Sequence, residues 1–278
     1  MNFLKSAGFM CAAFIMAGAA QAHYPYVAPL SYQTFNNHSA IISGFYDNPF
    51  VSEIAIKNFK FHVHTPAGQK IELKDTDWAN TQTLSSYSLE NKADGTYRIR
   101  GEKAGSMSSF AQVNKEWKTL IAGQSAADKL INQNVVYRSQ LAKNQKIKTV
   151  QTQEIIETFV SRRSISKIAA GRLHDGFDVQ FITHPNAIQV NQPIQFKLLD
   201  NQLPLKGLNA EILVQTADYS REGKVFKTVT ADEQGALNFS LAEKGQYLLK
   251  IDYQQPFEHK GDALKRYKYT LSFNATAK

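Results

Sequence analysis

Cysteine is almost absent from this 278-residue chain: Cys11 stands alone, which excludes an internal disulfide and any scaffold stapled by disulfides. Long apolar runs are missing too. The longest, Ala7 to Ala19, falls short of the roughly 18 residues a membrane-spanning helix requires. With 15 glycines and 8 prolines among 11% aromatics, collagen, coiled coil and low-complexity disorder are excluded. No Gly-x-Ser-x-Gly elbow, His-Glu-x-x-His helix, phosphate loop or dinucleotide fingerprint occurs, so the chain reads as a non-enzyme. The carboxylate pairs Asp75/Asp77 and Asp175/Asp178 read as turn residues.

What is present is enough apolar material, 43% of residues, for one large or two ordinary domains. The net charge is +8, from 32 Lys+Arg against 24 Asp+Glu, spread along the chain. The opening segment, residues 1–22, has one basic residue, Lys5, then the short apolar run, then Ala20-Gln21-Ala22. That is the pattern of a cleavable secretory signal, and the expected address is the periplasm of a Gram-negative bacterium. Cleavage after Ala22 removes the cysteine, leaves no transmembrane segment and disfavours nucleic acid as a partner. It also makes His23 the first residue, where its α-amine (pKa about 7.7–8.0) and Nδ1 together can chelate one ion.

Beyond the leader the chain alternates at period two, as in Phe59-Lys60-Phe61-His62-Val63-His64 and Tyr267-Lys268-Tyr269-Thr270-Leu271-Ser272-Phe273. Turn signals such as Thr65-Pro66-Ala67-Gly68 and Asp232-Glu233-Gln234-Gly235 separate these runs. The expected fold is mainly β, two antiparallel immunoglobulin-like sandwiches. The boundary is placed near residue 170, giving an N-terminal domain over 23–170 and a C-terminal domain of seven candidate strands over 171–278. A polar stretch, 114–148, reads as a short helical or irregular insertion, with Ser125–Ile131 its best helix candidate. Arg162, Arg163, Lys167 and Arg172 read as a solvated linker.

Several motifs then suggest a family. They are the Ala22-His23 junction, Glu157-Thr158-Phe159-Val160, Gly176-Phe177-Asp178-Val179, Thr183-His184-Pro185-Asn186 and Leu203-Pro204-Leu205-Lys206-Gly207-Leu208. The chain resembles exported two-domain proteins grouped with the periplasmic component of cobalt and nickel uptake systems, a family largely carried as a domain of unknown function. The resemblance covers nearly all of the chain after the leader and is strongest from Glu157 to Tyr253. It implies a non-catalytic periplasmic protein that handles a divalent transition metal beside a membrane uptake system. The family's leading histidine falls on His23 and its His-Pro-Asn motif on His184.

All seven histidines lie beyond the leader. His62 and His64, at i and i+2 of a strand, leave the outward, solvent-facing side together, opposite a buried face of Phe59, Phe61 and Val63. That spacing can put two imidazole nitrogens at about 2.0–2.1 Å from one ion. The candidate metal ligands are therefore His23, His62 and His64, for Ni, Co, Cu or Zn, with no metal needed for folding. His184, held extended by Pro185, reads as structural, and His174 and His259 as solvated. Two other functions stay open. One is a metal-independent envelope module contacting a transporter, membrane or glycan, using aromatics such as Tyr24, Tyr26, Trp78 and Trp117. The other is a copper enzyme with an N-terminal histidine brace.

Overall fold

The computed structural model describes residues 24–123, 134–168, 176–217 and 224–277. It is mainly β, as the alternation predicts, and its sheets pack face to face. Strands are numbered along the chain. A small antiparallel sheet runs in the order β1 (Tyr24–Pro29), β3 (His38–Tyr46), β7 (Ser85–Glu90), β6 (Ala79–Asn80). A second small sheet contains β12 (Phe177–Phe181), β13 (Ile194–Asp200), β14 (Leu203–Pro204) and β17 (Ala236–Phe239).

Between them lies an eleven-stranded main sheet. Its path starts at β10 (Val135–Tyr137), β9 (Glu116–Ile121), β8 (Gly95–Val113) and β11 (Ile147–Arg162). It continues through β19 (Ala263–Ala275), β18 (Gly245–Gln254), β15 (Asn209–Val214) and β16 (Lys224–Thr230). β4 (Lys60–His64) pairs with β8 and with β5 (Lys70–Leu73), and β2 (Gln33–Thr34) pairs with the end of β11.

The halves on either side of residue 170 share this main sheet. β11 and β19 form a parallel ladder from Thr149↔Ala263 to Glu157↔Leu271, so main-chain hydrogen bonds join the halves. β11 is buried without interruption from Ile155 to Arg162 because each of its faces enters a different core. Ile156 and Val160 pack with Val27, Ile41, Phe61 and Ile99 under the first small sheet. Ile155 and Phe159 pack with Phe177, Phe196, Tyr269 and Phe273 under the second. A strand covered on both faces reads as a continuous apolar run, which is what Ile155-Ile156-Glu157-Thr158-Phe159-Val160 is, apart from its glutamate.

Three local expectations are corrected. The described part of 114–148 is sheet rather than helix or irregular insertion: Asn114 and Lys115, both at positive φ, turn β8 into β9, and β10 and β11 follow. It is polar because this end of the sheet is only partly buried, β9 having no fully buried residue and β10 only Val136; the helix candidate over 125–131 lies outside the described residues. Arg162 is no solvated linker residue but is buried, bonded to Asp94 and to Asn37 Oδ1 (2.8 Å). Tyr26 has no exposed surface, since it packs edge-on against Tyr46 and Phe50.

Candidate metal-binding pocket

The alternation of β4 sends Phe61 and Val63, with Phe59 just ahead, into the core under the first small sheet. Gly101 on β8 makes room for this: a Cβ there would come within 2.5 Å of the Phe61 ring. His62 and His64 leave the opposite face, ring centroids 5.0 Å apart and ring planes at 87°. β4 is flanked on both sides, so His62 faces Glu72 on one neighbour and Arg100 on the other, and His64 faces Lys70 and Arg98. The sequence suggests an outward, solvated pair. Instead His62 is only 7% exposed and His64 half-buried, because those long neighbours flank them.

The pair lines an open cavity of about 980 Å³, with Lys60, Lys70, Glu72 and Glu102 around it. Burial, then Lys70, pushes the His62 imidazole down to about 4; burial, then Arg98, lowers that of His64. Neutral imidazole at neutral pH carries a free lone pair, the form a metal binds. The Nδ1 of His64 is buried without a hydrogen-bond partner, so one donor atom is left for a ligand to satisfy.

Behind the histidines lies a buried ionic cluster; its Glu157 and Asp178 stand in the family motifs, but those motifs give them no ionic role and do not single out Arg98 or Arg100. Arg98 Nε donates to Glu157 Oε1, and Tyr269 Oη donates to Glu157 Oε2 at 2.7 Å. Arg100 lies 3.6 Å from Glu157 Oε2 and 3.8 Å from Asp178, and its Nε donates to Glu102 at 3.0 Å. Burial alone would raise the Glu157 carboxyl. Arg98 and Arg100, with the hydrogen bonds from Arg98 and Tyr269, override it and hold the group at about 2. Asp178 is therefore not a turn residue: it sits on β12 and reaches across to Arg100. The signal available in the sequence was a glutamate inside an apolar strand, which needs a buried cation.

His23 and His174 lie outside the described residues. Tyr24 packs under the Lys250 and Lys268 ammonium groups, 4.1 and 5.1 Å from its ring centroid, on the face of the main sheet opposite to His62 and His64. Ser272, two alternations along from Lys268, confirms the face by donating to Val27 O at 2.7 Å. His184 accepts from Asn186 N at 3.0 Å and caps the turn Pro185–Ala187, the structural role its proline suggests. His38 and His259 are exposed. Among the described residues no group of three or more His, Cys, Asp or Glu is placed to hold a metal, so the pocket offers two imidazoles and no complete ligand set.

No curated protein sequence matches the chain. Among solved structures it is similar to a marsupial T cell receptor at 8% identity, over 92% of this chain and 72% of that one, with a TM-score of 0.22. It is also similar to the Bacillus anthracis TIE protein at 11% identity, over 94% of this chain and 42% of that one, with a TM-score of 0.19. Likenesses at such TM-scores define no shared architecture. No helix among the described residues is long and apolar enough to cross a membrane. The model of one family does match, over residues 20–255, and the chain belongs to it: the domain of unknown function DUF4198.

Proposed function

We propose that this chain is an exported, non-catalytic accessory protein that binds a divalent transition metal through His62 and His64 and passes it to an uptake system in the envelope. The observation that carries the reading is the pair itself: two neutral imidazoles with centroids 5.0 Å apart, lining an open cavity. Support for the partner and the address comes from the resemblance to cobalt and nickel uptake components and from the leader-like residues 1–22.

Two imidazoles leave most coordination positions of Ni, Co, Cu or Zn to water or to ligands the metal brings with it. Such a site holds metal loosely and releases it readily, which suits hand-over better than storage. His23, with its terminal amine, would be a further two-nitrogen donor.

The test is titration calorimetry of Ni, Co, Cu and Zn into the processed chain beginning at His23 and into its His62→Ala/His64→Ala variant. The expected result is roughly micromolar affinity for at least one metal, lost in the double variant. Affinity unchanged by the double substitution would move the site to His23. No binding by either form would end the metal reading.

A further inference from the structure

At the far end of the main sheet the hairpin of β8 and β9, the start of β11 and the loop between β18 and β19 enclose a second open cavity, of about 660 Å³. Its size falls in the range of about 300–1,000 Å³ typical of small-ligand sites. The loop is anchored to β11: Thr149 N donates to Asp262 O at 2.7 Å and Lys148 Nζ to His259 O at 2.7 Å, while His259 N closes a turn on Pro256 O. Trp117 lines the cavity, held by stacking on Phe257 at 4.8 Å and 14°, with Phe110 edge-on behind Phe257 at 5.1 Å. Asn144 brings a carboxamide and Gln145 a carbonyl oxygen, its Nε2 already donating to Gln112 O, while Lys146, Lys148 and Lys260 bring positive charge and Asp262 a carboxylate.

This end also concentrates the charge of the chain. Between 114 and 148 the described residues include Lys115, Lys118, Arg138, Lys143, Lys146 and Lys148 against Glu116 alone, a surplus of five in a chain of net +8. None of these six forms an ion pair with a described carboxylate, whereas Lys70, Arg98, Arg100, Arg162 and Arg266 all do.

We propose that this cavity binds an acidic oligosaccharide, a segment of an anionic envelope glycan. The chemistry matches part for part: a fixed indole offers an apolar face to a sugar ring, carboxamide groups and Asp262 pair with hydroxyls, and the lysines pair with acid groups. A flat anionic bilayer would use the lysines but has no role for a concave wall, two carboxamides and a carboxylate.

The test is calorimetry of the whole chain with a hexameric oligogalacturonate, with maltohexaose as the neutral control and phosphatidylglycerol vesicles as the lipid control. The acidic hexamer is expected to bind at least tenfold more tightly than the neutral one. Lys146→Glu/Lys260→Glu, both exposed positions, is expected to weaken it at least tenfold with an unchanged melting temperature. Trp117→Ala is expected to weaken binding at least tenfold as well, and Trp117→Phe to restore much of the loss. Failure of the acidic hexamer to bind would overturn the proposal. So would vesicle binding that is equally tight in Trp117→Ala, since that would assign the patch to lipid.

Discussion

Glu157 has no exposed surface, yet Arg98 and Arg100 keep it ionised down to about pH 2. Several nitrogens of the two arginines, Arg98 Nη2 and Arg100 Nη1 and Nη2, have no hydrogen-bond partner, so the carboxylate does most of the work of compensating the two cations. Glu157→Gln keeps the shape and removes the charge, leaving two buried cations poorly matched. The expected loss is about 3–5 kcal/mol, a fall in Tm on the order of 10 °C. Asp178→Asn, at the wetter end of the cluster and 3.8 Å from Arg100, should cost far less. Thermal melts of the two variants check this, and a Glu157→Gln protein melting within a degree or two of the parent would refute it. The pH dependence follows from the same burial. Burial holds the His184 imidazole at about 4, below the roughly 6.5 of an unfolded chain. Between those values the unfolded state binds the proton that the folded state refuses, so stability rises with pH across that window and is lost as pH falls through it. His184→Asn keeps an acceptor for Asn186 N without the titration. Its melting temperature should fall less between pH 6.5 and 4 than that of the parent; identical curves would remove His184 from the linkage.

At the scale of elements, the strands were the most legible part of the chain, because a half-buried strand must alternate. The alternation in Phe59–His64 correctly divides β4 between a core face and a histidine face. What it could not show is that β4 has neighbours on both sides, since pairing joins residues far apart in sequence, such as His62 with Arg100 and Glu72. The histidines therefore look solvated in one dimension and are shielded in three. The polar 114–148 stretch failed for the opposite reason. Strands with little fully buried surface carry a weak hydrophobic period, so β9, with no buried residue, and β10, with Val136 alone, left little pattern to read. Glu157 gave a usable sign, a charge in a β-branched run, but not the identity of its partners.

For the whole molecule, β11 is the decisive element. One face completes the core under the first small sheet, the other completes the core under the second, and its ladder to β19 joins them. Neither core is whole without it. Unfolding is therefore expected as one cooperative transition, with calorimetric and van't Hoff enthalpies in agreement; two resolved peaks in scanning calorimetry would show that the halves fold independently. The chain's local chemistry was enough to establish a mainly β protein and a pair of histidines on one strand face, because composition, hydrophobic period and side-chain direction are properties of short segments. The tertiary structure decided the rest: a sheet shared by both halves, a buried Arg98–Glu157–Arg100 cluster behind the histidines, and Trp117 brought beside Lys146 and Lys260. Those depend on which distant strands pair, and that is settled by the joint burial of whole faces rather than by any single segment.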